Sequence, residues 1–396
     1  MIVEDENVPK FFIPSLFFSQ LATRPSGILT GFILIEIGLT FNTTVGVMGQ
    51  LFTASSLIGM ISAPILAVLS IKIKPKTLLL TGIVLITISA IGCSISPTYL
   101  AMLFSYCLNG LGVAMIAPMI MTLIGENLPQ EKRSGAIGLI VASTPMLSTI
   151  TGLIIGRITG FGWRTAYLIY VLPIALISLI LSFLGLTSVG DEKKTGQEKS
   201  VFDGFKKILE NRSAFSCLIA TSLAMAAWIS VMTYGISFYR EQYLVPTDWA
   251  GYIWSGLALC FTVGSLVTGR LVDRFGRKPL SLVGALLIGV SAVLFTNLPS
   301  FSVSILFALL ASFFAGLRHS VSNSLSLEQV PGYRGSMMSL NSGSLSLGAA
   351  LGSAIGGLAL TYGDYSVLGI CLGFLGIVAA MVYYLFTHDP TTLGSH

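Results

Sequence analysis

Two arginines lie deep inside apolar stretches, where a charge needs a reason to be. Arg24 is at the middle of a run over residues 12–34 and is followed by Pro25. Arg318, with His319 beside it, is in a run over 302–325, past its centre by ~7 Å at 1.5 Å per residue. A charge at the centre of a bilayer costs about 2.5–3.5 kcal/mol on insertion scales, which makes such a residue a functional candidate by default. No Asp or Glu occupies the middle of any apolar run, so both cations lack a buried counter-charge. Either the guanidinium groups bond to carbonyls and water, or an anion reaches them from solution. Guanidinium suits an anion because it stays charged when desolvated and grips a carboxylate with two parallel hydrogen bonds. His319 is the one mid-run group whose ordinary pKa lies near neutrality, which makes it the candidate carrier of a proton. Further candidates are Gln20, one turn before Arg24, then Asn109, Trp228, Tyr234, Asn323 and Asn341. Aromatics with a few polar groups are what a small-molecule site needs. The plainer alternatives are a brace for the carbonyl that Pro25 frees, snorkelling of Arg318 toward an interface, and simple packing of the rest.

The elements that would position these residues are membrane helices. The chain has 396 residues, 54% hydrophobic and 10% charged, against about 25% charged in a soluble domain. Runs of ~20 apolar residues recur, each long enough to cross a bilayer as a helix. The fold class expected is an all-α membrane protein with twelve spans, over 12–34, 46–70, 77–95, 99–124, 135–157, 164–186, 214–238, 249–269, 279–297, 302–325, 336–361 and 365–387. A barrel would instead show alternating strands of ~10 residues. No cleavable signal is expected, because Met1 to Asn7 is acidic and the first apolar run exceeds signal length. The five cysteines all fall in apolar runs without metal spacing and read as buried free thiols, so neither metal nor cofactor is expected.

Charge sets the orientation. With the N-terminus in the cytoplasm, seventeen Lys/Arg fall on that side and only Arg157, Arg164 and Arg240 on the other. That bias predicts cytoplasmic termini. The longest loop, Thr187 to Ser213, divides the chain, and Val201 to Leu209 within it predicts a short amphipathic helix on the membrane surface. The expected units are 1–186, a central loop 187–213, a second half 214–390 and a disordered tail 391–396. The halves repeat: Lys76, Glu126 and Pro129 match Lys278, Glu328 and Pro331 at an offset of 202, and Gly135, Gly152 and Gly156 match Gly335, Gly352 and Gly356 at 200. This register predicts a parallel duplication about an axis along the membrane normal. Gly152, Gly156 and Gly160 in span 5, and Gly348, Gly352 and Gly356 in span 11, put small residues on one helix face and predict close helix approach.

Between spans 8 and 9 stands Gly269-Arg270-Leu271-Val272-Asp273-Arg274-Phe275-Gly276-Arg277-Lys278. Through Gly269, Asp273, Arg274, Gly276, Arg277 and Lys278 it resembles the signature loop of the major facilitator superfamily. The resemblance implies two pseudo-symmetric six-helix halves, alternating access, sliding contacts between the halves at the glycine faces of spans 5 and 11, a gating role for this loop, and a cavity lined by spans 1, 4, 7 and 10, which carry Arg24 and Arg318. It implies a transporter with a small-molecule substrate, embedded in lipid, with a proton as candidate coupling ion. We expect a monomer in the cell membrane and no nucleic-acid partner. The N-terminal copy of the loop is eroded, with Ile71 in place of the acid. Two marks of the family's drug–proton antiporters are replaced, one by Tyr106 in span 4 and one by Thr151-Gly152 in span 5. Arg24-Pro25, ten residues, then Glu36-Ile37 resembles span 1 of the cyanate and nitroimidazole transporter branch. A small organic or inorganic anion is therefore the favoured substrate, with drug efflux by proton antiport as the alternative. An intramembrane enzyme would need paired acids, a metal site or a Ser/His pair; no acid is buried, and His388 and His396 lie in the tail.

Overall fold

A computed structural model describes residues 9–186 and 198–390. The acidic start Met1 to Asn7, residues 187–197 of the central loop and the tail 391–396 lie outside the described residues, as do the side chains of Ile71 and Lys72. Among the described residues the regular structure is helical. Eleven helices are long and apolar enough to cross a membrane, and a bent pair makes the twelfth span. Span 1 is three helices, α1 (Phe12–Ala22), α2 (Pro25–Phe32) and α3 (Leu34–Phe41), with a 64° bend before the last. Span 2 is α4 (Val45–Met48) with α5 (Gln50–Lys72), span 3 is α6 (Pro75–Ile95), span 4 is α7 (Tyr99–Asn127) and span 5 is α8 (Gln130–Thr159). Span 6 is α9 (Trp163–Ala166), a wide turn and α10 (Leu172–Leu186). After the linker helix α11 (Glu198–Glu210), spans 7 to 12 are α12 (Arg212–Gln242), α13 (Thr247–Phe275), α14 (Arg277–Asn297), α15 (Phe301–Gln329), α16 (Arg334–Tyr362) and α17 (Tyr365–Phe386).

These boundaries follow local chemistry. Pro25 and Pro75 open α2 and α6 at the position where proline's missing N–H costs nothing. Thr98, Asn211 and Asp364 each accept first-turn backbone N–H groups through side-chain oxygens. Gly276, at φ +81°, makes the turn between spans 8 and 9 that an L side chain would resist.

The first and last described residues, Pro9 and Pro390, and α11 lie at one end of the bundle, here the terminal end; the other is the distal end. Within each half the helices approach through glycine. Gly82 and Gly112 place spans 3 and 4 backbone to backbone, as Gly289 and Gly376 do for spans 9 and 12. Between the halves, span 2 packs on span 11 and span 5 on span 8. Gly152 and Gly156 make the close approach expected between the halves, facing Gly251 and Asp248 of span 8. The matched stripe in span 11 does not. Gly348, Gly352 and Gly356 face Ser222, Ala226 and Tyr234 of span 7, inside their own half. Spacing selects a helix face, but not which neighbour that face meets. The cross-half approach of span 11 uses Gly357 instead, against Gly46. The linker helix also differs from expectation. It is longer than Val201 to Leu209, and it docks on protein: Ile208 is buried with Ala214, Leu218 and Met337, and Lys207 donates to the Tyr333 hydroxyl at 3.1 Å.

Candidate functional site

Span 1 brings Arg24 to the middle of the bundle. Its neighbours Ala22, Thr23, Pro25 and Ser26 are buried while Arg24 itself is exposed. It lies near enough to His319 of the opposite half for its charge to be felt there. The brace reading finds no contact to rest on. The Leu21 carbonyl accepts from the Arg24 backbone N–H at 3.3 Å, and no side chain caps α2.

Opposite Arg24, spans 10 and 11 carry a polar chain. Ser326 Oγ donates to Asn341 Oδ1 (3.2 Å), Asn341 Nδ2 donates to Asn323 Oδ1 (2.9 Å), and Asn323 Nδ2 lies 3.3 Å from His319 Nε2. An amide nitrogen only donates, so Asn323 fixes His319 Nε2 as the acceptor and places the ring proton on Nδ1. His319 meets Phe261 of span 8 at 6.0 Å between centroids, and Phe261 stacks on Trp228 at 5.8 Å and 21°. Of these residues His319, Asn323 and Phe261 are partly exposed, whereas Trp228 and Asn341 are buried. Phe261 was not a sequence candidate, because nothing local distinguishes it from the other apolar-run phenylalanines.

Arg318 is elsewhere. It is 1% exposed, its Cβ side packs against Gly284 of span 9, and its charge bears on Cys217 of span 7 and Tyr383 of span 12. It therefore points into the interior of the C-terminal half. There Thr221, Ser322 and Tyr383 form a hydroxyl triangle at 2.8–3.1 Å. Arg318 Nε and Nη1 are buried without a hydrogen-bond partner among the described residues. The two guanidinium groups do not converge on one point, although both act on His319.

The remaining candidates divide. Gln20 reaches Thr144 of span 5 at 3.4 Å, within the N-terminal half. Asn109 is 6% exposed with Oδ1 unpartnered among the described residues. Tyr234 is fully buried, donates to the Ser353 carbonyl at 2.7 Å and packs on Gly49 and Gly357, so in this conformation it seals rather than lines. Other cross-half contacts also lie toward the distal end. Ser255 donates to the Thr149 carbonyl at 2.8 Å, the Phe32 and Trp254 rings meet at 5.5 Å, and Arg240 pairs with Glu36.

At the terminal end, Asp273 is exposed in the last turn of α13 and makes no ion pair with any described residue; Arg274 stacks on Phe275 at 5.3 Å. Gly269 has open space around it, Gly276 makes the turn, and Arg277 and Lys278 begin α14.

Comparison with known proteins agrees with this architecture. The family model described as Major Facilitator Superfamily matches residues 16–264 and 245–395. The uncharacterized MFS-type transporter YbcL of Bacillus subtilis is 24% identical, with 97% of each chain covered. Multidrug resistance protein 2 of the same organism is 26% identical over 78% of this chain and 79% of its own. A crystal structure of a D-xylose–proton symporter superposes with a TM-score of 0.76 at 17% identity, covering 96% of this chain and 98% of the other.

Proposed function

We propose, from the premise that this chain belongs to the major facilitator superfamily, that it carries a small anion across a membrane by alternating access, with Arg24 as the group that holds it. Membership makes the protein a multi-pass secondary transporter and not an enzyme. The anion reading rests on one observation: a guanidinium inside an apolar span keeps an exposed surface while its chain neighbours are buried, with no carboxylate in the middle of any span. A positive site of this kind repels organic cations and attracts carboxylates and inorganic anions. Low dielectric makes that preference larger than it is in water. The facing wall would supply the partly exposed His319 and Asn323 for hydrogen bonds and Phe261 for apolar contact, with Asn341 and Trp228 buried behind them. Arg318 contributes field from behind that wall. An arriving anion cancels part of the positive field and gives His319 room to hold a proton, which would couple the anion to proton movement.

The experiment is a thermal-stability panel on purified protein. Carboxylates and small inorganic anions are expected to raise the melting temperature, and lipophilic organic cations to leave it unchanged. Stabilisation by the cations alone would favour the alternative of drug efflux, which the similarity to Multidrug resistance protein 2 brings.

The charge bias supports a cytoplasmic terminal end, with the protein in the plasma membrane. A reporter fused after Lys199 is expected inside and one after Val245 outside. Opposite locations would overturn that orientation.

A further inference from the structure

One residue of the C-terminal half grips span 1 at two points. Arg240, near the distal end of span 7, donates Nη1 to the Phe32 carbonyl at 2.9 Å. The same guanidinium pairs with both Glu36 oxygens, at 3.1 and 2.5 Å. Arg240 is 13% exposed and Glu36 32%, so the pair is partly withdrawn from water. Its two acceptors flank the 64° break, because Phe32 ends α2 and Glu36 is in the first turn of α3. Neighbouring charges are directed elsewhere: Glu241 accepts from Tyr365 at 2.7 Å, and Arg164 donates to the Ser94 and Ser96 carbonyls. At the other end of α2 stands Arg24, ~12 Å away at 1.5 Å per residue.

We propose that Arg240 is the latch of the distal gate, and that α2 is the rod joining this latch to the anion-holding arginine. Its link to substrate rests on the function proposed above; the latch itself does not. The seam makes the case mechanical. Gly31 of span 1 faces the carbonyls of Met232 and Thr233 on span 7, so opening the distal end means parting these two helices. They part only if Arg240 releases the carboxylate and the Phe32 carbonyl together. Both charged groups then gain water at the distal surface, so the contact is reversible. Release also frees α3 to realign on α2, which moves the rod on which Arg24 sits. Arg240 is thus a positioning residue that never meets the substrate.

Pulsed electron-spin resonance tests this with labels at Leu39 and Leu244, both exposed at the distal end on opposite halves. The partly exposed Cys107, Cys260 and Cys371 are first replaced by serine. Arg240→Ala and Glu36→Gln are each expected to raise the open-to-closed ratio of the distal pair roughly tenfold, the scale of a lost charged hydrogen bond. Arg240→Lys, which keeps the charge but not the fork, is expected to fall between. Arg240→Glu combined with Glu36→Arg is expected to restore the closed population. In proteoliposomes the single variants are expected to lower turnover while anion affinity stays near wild type. Unchanged distance distributions in both single variants, or a charge swap no better than either, would overturn the latch. If anions fail to bind the wild type while the latch variants still open the distal pair, the substrate reading fails and the latch stands.

Discussion

Arg24→Gln will lose anion binding and keep its fold. The side chain donates to no described carbonyl and caps no helix, so removing it breaks no internal hydrogen bond. It even removes a charge from mid-membrane, which on insertion scales favours the folded bundle. What it loses is a charge-assisted contact in a site of low dielectric. Such contacts contribute about 1.5–3 kcal/mol, a loss of roughly ten- to a hundredfold in affinity. Arg24→Lys will lie between, because ammonium keeps the charge but cannot form the fork. Calorimetric titration gives the affinities and a melting curve gives the fold. If Arg24 were a brace for the Pro25 break, the signature would invert, with a lowered melting temperature in every buffer and unchanged affinity in the surviving folded protein.

Gly251→Leu will hold the distal end open. A Cβ at Gly251 would fall on the carbonyl oxygen of Gly152 across the seam. Backbone is there, not a flexible side chain, so the two halves must separate to admit it. Overpacking of this kind costs about 1–3 kcal/mol, and here only the distal-closed state bears the cost. The ratio of states therefore shifts by roughly tenfold or more. Turnover falls because the cycle stalls, while a distal cysteine becomes reactive to an impermeant thiol reagent. Gly125→Ala is the control, since a Cβ there meets nothing within 4 Å. Equal thiol reactivity in Gly251→Leu and wild type would show that the seam is not the gate.

Much of the fold could be read from the sequence, because membrane helices are written in length and polarity. Span 4, expected over 99–124, runs Tyr99–Asn127, and span 6, expected over 164–186, ends at Leu186. Span 1 was harder. Its break at Ile33 has neither proline nor glycine at it, and the contact beside it, Arg240 on Glu36, comes from 204 residues away in sequence. The glycine repeats gave the correct face in span 5 and the wrong neighbour in span 11, since two halves with matched spacing still pack differently on what surrounds them. Among the candidates, Arg24, His319, Asn323 and Asn341 stand out in the sequence because polarity inside an apolar run is rare. Arg318 was legible as a buried charge but not in its direction, which Gly284 and Tyr383 determine. Phe261 carried no signal at all. Arg240 had one: with so few cations on the distal side, an arginine there had Glu36 as a candidate partner.

Electron cryomicroscopy of the wild-type protein with the anion that stabilises it most is the most direct test of the central claim. The account predicts density for the anion within hydrogen-bond distance of the Arg24 guanidinium, on the side facing His319 and Asn323, and no such density in Arg24→Gln at the same anion concentration. Density seated away from Arg24, or persisting unchanged in Arg24→Gln, would contradict it.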